Sequence, residues 1–382
     1  MELSRKSGVG LGSPETVRGN NERNSAMKRA SILLSAALAA SAFGQESIEP
    51  RPPKRPVSSN DLARLICDTR IGEAQCYRNL AVFPLFTEGR LMRGYWTLDH
   101  ALGKGLLRIS EKGDGSVPEL LAENLSDEPV FLMAGEIVTG GKQNRVVSQD
   151  ILLAPRSGPV SLGVFCVEQG RWTPQSRYFG AEKEMAHGSL RQELNAPHVS
   201  QARVWGEVAR TAEALAPAEP NETRYLGKVY KDKAVMRDVD EYSRAITWSQ
   251  DANGMAVVIG GRVVGVELFG DSQTFASLRD KLLRSYAVDA IACDALGEPV
   301  GDRNAVQRFL QSAQQARLST KQTIGIGRLF GIEGRSLYGS ILTWHGQKGA
   351  YGVVHVSLFA DTRPADRPPV VPMPQPRPLP RD

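Results

Sequence analysis

From residue 80 to 168 the apolar residues come in short runs, divided by Gly, Pro, Asn and Asp. Runs at 80–86, 106–110, 130–133, 145–147, 151–153 and 160–167 are continuous or alternating, and each predicts a short strand. Over 198–253 the period changes. Val199, Val204, Trp205, Val208, Ala212 and Leu215 recur at helical spacing, and 235–248 does so again. Two apolar runs, 256–259 and 262–268, flank Gly260-Gly261, a pair that supplies the positive φ of a tight hairpin turn. Asp271 or Ser272 then caps a helix whose stripe is Phe275, Leu278, Leu282, Tyr286 and Ile291. A helix near 305–316 precedes strands at 322–330, 336–344 and 352–359. Strands and helices are segregated, so the predicted class is α+β: a β-rich N-terminal half, a helical middle, then a hairpin, a helix and a β-rich C-terminal part. There is no internal repeat.

Both ends depart from this pattern. Residues 1–26 are polar and without period, and read as an over-long gene start. From Met27 come Lys28 and Arg29, an apolar run 32–42, and the small-x-small site Ala42-Phe43-Gly44. These are the three parts of a secretory signal, over 27–44, so the expected address is periplasmic or secreted. The run is too short for a permanent membrane span, and no other segment is long and apolar enough for one. Residues 45–60 form a Pro-rich linker to a folded body at 61–360. The tail 361–382, with eight prolines, reads as an extended spacer or as a contact for an envelope partner.

Charge changes the picture by where it lies. The whole chain is +5, but the segments 1–44, 45–60 and 361–382 carry all of it, which leaves the body 61–360 net neutral. A neutral body lacks the basic face that phosphate neutralisation requires, so nucleic acid is not an expected partner. In an exported chain Cys67 and Cys76, at the entry to the body, are expected to be bridged. Cys166, inside the apolar run 164–167, and Cys293 read as buried small hydrophobes. The five histidines, His100, His187, His198, His345 and His355, are scattered without ligand spacing, so no metal and no cofactor is expected.

Two segments could carry chemistry. The first is Gly135-Glu136, then Gly140-Gly141-Lys142-Gln143-Asn144-Arg145, a polar excursion between apolar strands. Gly140-Gly141 permits close backbone approach, and Glu136, Gln143 and Arg145 offer a carboxylate, an amide and a guanidinium. Such a set suits an anionic or hydroxyl-rich ligand, and it is equally the composition of a hairpin holding an internal Glu–Arg pair. The second is Glu168-Gln169-Gly170-Arg171-Trp172, at a strand end, where binding groups are commonly mounted. Trp172 reads either as core or as a stacking platform.

These two motifs together resemble the family named for its association with ADP-ribosylglycohydrolases and rhodanese-phosphatase superfamily proteins. Tyr95-Trp96-Thr97-Leu98-Asp99, Gln201 with Val204-Trp205, Gly260 to Gly265 and Leu283-Arg284-Ser285-Tyr286-Ala287 fit as well, over about 80–292. Gly141 stands where Ala is expected as often. The resemblance implies a link to ADP-ribose or phosphate-containing ligands and names no reaction.

Three readings follow. The leading one is an exported binding module for a small polar, anionic ligand, in which Glu136, Gln143, Arg145, Glu168 and Arg171 converge on one pocket and Gly140, Gly141 and Trp172 are further ligand-binding residues. The second is a hydrolase of a phosphorylated or ADP-ribose-like glycosidic compound, with Glu136 and Glu168 as general acid and base. The third is an envelope interaction protein whose motifs only hold the fold. Opposed carboxylates across a cleft favour the enzyme, an Arg-rich pocket without them favours binding, and salt-bridged motif residues beneath the surface favour the interaction protein.

Overall fold

The computed structural model describes residues 59–87, 94–215, 225–293, 301–345 and 351–361. All of them belong to one unit, Pro50–Asp382. The segments expected as leader, signal, most of the linker and the tail lie outside the described residues, so the structure does not bear on them.

In chain order, α1 (Ser59–Cys67) leads into β1 (Thr69–Ile71), β2 (Gln75–Tyr77) and β3 (Leu80–Thr87). Then come β4 (Trp96–Thr97), α2 (Leu98–Gly103), β5 (Leu107–Glu111), β6 (Glu119–Asn124) and β7 (Val130–Leu132). The hairpin of β8 (Glu136–Thr139) and β9 (Arg145–Val147) precedes β10 (Ile151–Leu153), β11 (Val160–Cys166) and β12 (Gly180–Met185). The helical middle is α3 (Gly188–Asn195), α4 (Gln201–Leu215), α5 (Leu226–Val229) and α6 (Lys233–Ala245). After it follow β13 (Gly254–Ile259), β14 (Arg262–Phe269), α7 (Ser272–Ala292) and α8 (Arg303–Gln314). Four strands close the fold: β15 (Arg317–Lys321), β16 (Gly327–Glu333), β17 (Leu337–His345) and β18 (Tyr351–Ala360). The class is α+β, with the segregation that the sequence pattern predicts. Asp271 caps α7, its side chain accepting from the Thr274 amide. Gly260-Gly261 turns β13 into β14, both glycines at positive φ.

A nine-stranded antiparallel sheet runs β1-β3-β13-β14-β18-β17-β16-β15, with β2 also on β3. Side chains alternate across it. Val82, Val257, Leu342 and Val354 face α6 and α7 in one core, whereas Phe83, Val258, Ile341 and Val356 face α1 and α8 in another. The six-stranded sheet β12-β8-β9-β11-β6-β5 encloses a third core with the three-stranded sheet β10-β7-β4. Its other face, through Ile137 and Val146, packs on Leu190 of α3 and on Val204 and Val208 of α4. Among the described residues no helix is long and apolar enough to cross a membrane.

Cys67 and Cys76 are both exposed free thiols, and the expected bridge is not formed. The reason is the sheet. β1 and β2 pair end to end along β3, with Thr69 opposite Thr87 and Cys76 opposite Ala81. At about 3.3 Å per residue this places Thr69 and Cys76 roughly 20 Å apart, well outside disulfide reach for Cys67.

Candidate functional site

The hairpin forms because β8 and β9 each present apolar residues to both sides: Val138 and Val147 to one core, Ile137 and Val146 to the other. Register places Val138 opposite Arg145, so residues 140–144 make the turn. Gly141 has φ 47°, and a Cβ there would run into the Phe179 ring and the Glu111 carboxylate. Beside the hairpin runs β11, whose Cys166 lies opposite Arg145, so Glu168 arrives level with Gln143 two residues later.

The two motifs therefore meet. Gln143 Nε2 donates to the Glu168 carbonyl at 3.0 Å, and the Asn144 amide donates to Glu168 Oε2 at 3.0 Å. Arg171 Nη2 lies 2.6 Å from Glu168 Oε2, and Arg171 Nη1 donates to the carbonyls of Gly141 and Thr173, each at 2.9 Å. Burial alone would raise the Glu168 carboxyl, but Arg171 and the Asn144 amide together outweigh it and hold it below the usual carboxylate range.

Arg145 is the unusual member. Its side chain is 0 % exposed, its Nη1 donates to Gln143 Oε1 at 3.0 Å, and its Nε and Nη2 have no hydrogen-bond partner among the described residues. Burial, opposed by Cys166 and Glu111, holds the guanidinium below its ordinary value. Trp172 forms the roof, its ring centroid 5.9 Å from the Arg145 guanidinium carbon and 5.2 Å from Lys142 Nζ. With 45 % of its surface exposed, Trp172 is not a core residue. Arg171 Nε is a further buried donor without a partner among the described residues.

Glu136 does not join this group. It is fully buried, its Oε2 accepts from the Met133 amide at 2.8 Å, and its Oε1 has no partner among the described residues. Burial raises its carboxyl to about 8; Lys281 opposes the rise, and Asp99 and Asp150 add to it. Lys281 Nζ is itself 2.7 Å from Asp99 Oδ1. The convergence expected of five residues thus holds for Gln143, Arg145, Glu168 and Arg171 and fails for Glu136. Along β8 the pairing partner of Glu136 on β12 is Met185, while the turn residues are at the other end of the hairpin.

A second polar cluster, which sequence reasoning missed, lies beside Glu136. His355 Nδ1 is 2.6 Å from Asp150 Oδ2, and its Nε2 is 2.9 Å from Glu267 Oε2. Glu267 Oε1 receives Arg191 Nη1 at 2.6 Å and the Tyr286 hydroxyl at 2.8 Å. The stem of Arg191 passes Gly135, where a Cβ would approach it to 2.5 Å. Burial would depress His355, but Asp150 and Glu267 outweigh it and raise the ring to about 9. Burial would raise Glu267, and Arg191 with His355 reverse that. Asp99 and Tyr286 fall in stretches that carried the family resemblance; His355 gave no signal, since its partners are distant in sequence.

Cys166 is fully buried, as expected of a small hydrophobe, and burial raises its thiol. No group of three or more metal-ligating side chains occurs among the described residues. A groove of about 390 Å³ lies between α1 and α8, lined by Cys67, Arg70, Arg303 and Gln314 among others, and none of the motif residues borders it.

The family model for the ARG and rhodanese-phosphatase-superfamily-associated protein domain, ARPP-1, matches residues 68–359. The chain belongs to that family. The ARPP-1 match takes in both motifs, the buried cluster and every sheet, so the domain is the described fold from β1 to β18. No curated protein and no solved structure matches the chain.

Proposed function

We propose that this ARPP-1 protein is an exported binding module for a small anionic ligand of the phosphate or ADP-ribose kind, held at the Gly140-Gly141 turn. The observation that carries the reading is Arg145, a buried guanidinium with two nitrogens unpartnered among the described residues, beneath an exposed indole. An unpaired buried charge is costly, and one removed from its partner costs about 3–5 kcal/mol. Such a group persists in a well-packed hairpin when an anion completes it, and a guanidinium presents the forked donors that phosphate and carboxylate take. The export signal at 27–44 supports an extracytoplasmic address. The opposed carboxylates of the hydrolase reading lose their support, because Glu168 is held by Arg171 and Glu136 lies among Lys281, Asp99 and Asp150.

The test is thermal unfolding of the full chain with inorganic pyrophosphate or ADP-ribose, beside Arg145→Met. Ligand at a hundredfold over its Kd stabilises by about 2.7 kcal/mol, a rise of a few degrees. Arg145→Met removes the rise, while the unliganded variant is as stable as wild type or more so, because an apolar chain of similar volume replaces an unpaired charge. A variant that loses several degrees without ligand, in a protein that no anion stabilises, would show Arg145 to be structural.

A further inference from the structure

The Gly140-Gly141 turn holds a charged group that neither motif contains. Glu111 ends β5, and Leu107 and Ile109, at alternate positions before it, point into the core between the six-stranded and three-stranded sheets. Glu111 therefore points the same way. On the hairpin, Val138 and Val147 face that core, and Arg145, opposite Val138 and two residues from Val147, shares their face. Glu111 and Arg145 thus reach the turn from the same side of the sheet. Glu111 Oε1 accepts from the Lys142 amide at 2.7 Å, and a Cβ on Gly141 would come within 2.5 Å of it. Burial holds the Arg145 guanidinium low, and Glu111 is among the groups close enough to oppose it.

Both groups lack partners, and in opposite senses. Arg145 Nε and Nη2 are buried donors without an acceptor among the described residues, and Glu111 Oε2 is a buried acceptor without a donor among them. Although they share one side of one turn, the two do not bond to each other. Buried charged groups left in this state are costly. A bare anion completes only half of the set: it supplies acceptors to Arg145, and its charge stands against the Glu111 carboxylate. A ligand that completes both brings an anionic group for the guanidinium and a hydroxyl, as donor, for the carboxylate. The phosphate ester of a sugar carries these two groups a few bonds apart.

We infer that the ligand is a phosphorylated sugar, with its phosphate on Arg145 and a sugar hydroxyl donated to Glu111 Oε2, which makes Glu111 a specificity residue of the site. This rests on the anion-site reading above and adds the group that reads the hydroxyl. A hydrogen bond from a hydroxyl to a carboxylate is about twice as strong as a neutral one. A site built to bond a hydroxyl rejects the analogue that lacks it, because its own polar group is then left unpaired.

The experiment measures the affinity of the full chain for ribose 5-phosphate and for ethyl phosphate, a monoester of the same charge without the hydroxyls, in wild type, Glu111→Gln and Arg145→Met. Wild type is expected to bind ribose 5-phosphate at least tenfold tighter than ethyl phosphate, and Arg145→Met to lose both. Glu111→Gln keeps an acceptor for the Lys142 amide, puts an NH2 in place of Oε2 and removes the charge. It weakens ribose 5-phosphate and strengthens ethyl phosphate, so the ratio falls fivefold or more, whereas a role confined to holding the turn would weaken both alike. A wild-type ratio below tenfold overturns the sugar assignment whether or not the variant folds. An unchanged ratio in Glu111→Gln overturns the role of Glu111. In either case, Arg145-dependent binding of ethyl phosphate leaves the anion site standing. If neither monoester binds, the sugar assignment falls, and the anion site falls with it unless pyrophosphate still stabilises the fold. ADP-ribose separates the two sources of this chemistry: tighter binding than ribose 5-phosphate points to the ribose end of a nucleotide, and equal or weaker binding to a free sugar phosphate.

Discussion

Asp150 Oδ2 lies 2.6 Å from His355 Nδ1, across a seam between two sheets whose residues here are 205 positions apart in the chain. Asp150 precedes β10 and His355 is in β18, so this contact ties the β-rich N-terminal part to the large C-terminal sheet. On its other side His355 reaches Glu267 of β14, and Glu267 reaches Arg191 of α3. His355→Gln leaves two buried carboxylates short of a positive partner, and a loss of about 3–5 kcal/mol is expected from urea unfolding at pH 7. A loss below about 1 kcal/mol would show that the cluster does not hold the seam.

Stability should be greatest near pH 5 and fall towards pH 9. Glu136 is raised from 4.5 to about 8, so between those values the folded protein keeps a proton that the unfolded chain releases, and stability declines as pH rises. His355 is raised from 6.5 to about 9, so its contribution is full below 6.5 and is lost through 9. Glu267 and Glu168 are lowered, so theirs is present above 4.5 and lost as pH falls through their folded values. The melting temperature across pH 4–9 checks this, and a profile that rises from 5 to 9 would contradict it.

Glu136→Gln separates the two alkaline effects. The amide keeps an acceptor for the Met133 amide and carries no charge, so the decline between pH 4.5 and 8 should flatten. At pH 7 the variant should gain about 1–3 kcal/mol over wild type. A variant less stable than wild type at both pH 5 and pH 8 would mean that the carboxyl itself is needed by Lys281.

Gly141→Ala should destabilise the protein by at least about 1 kcal/mol, because φ 47° is disfavoured for a residue with a Cβ and that Cβ meets Phe179 and Glu111. The resemblance left Ala acceptable here; the packing of Phe179 in this chain does not. Unchanged stability by thermal melting would show that the ring moves freely.

Thiol titration of the folded chain, without reductant, should find Cys67 and Cys76 reacting fast and Cys166 protected until unfolding, as their exposure dictates. Absence of both fast thiols would restore the bridge expected from the export signal.

The sequence by itself determined the longer helices, many of the strands, the β13–β14 hairpin and the composition of the site. The stripes of α4 and α6 read at helical period because each helix buries one face, and α7 read as a helix although residues 281–288 are buried all round it. Gly260-Gly261 marked its hairpin because few other residues adopt that turn. The two Glu/Gln/Gly/Arg motifs are recognisable because each is short and continuous. Only the tertiary structure decided how these pieces meet. The strands β6, β8 and β12 were illegible because charged or small residues interrupt their alternation, and because partners supplied by other segments complete them. Glu136 and Arg145 share a hairpin, yet register sends one towards Lys281 and Asp99 and leaves the other under Trp172. The chain of Asp150, His355, Glu267 and Arg191 is assembled from four distant segments. Each residue alone looks like an ordinary polar side chain, because hydrogen bonds act over about 3 Å in space and leave no period along the sequence.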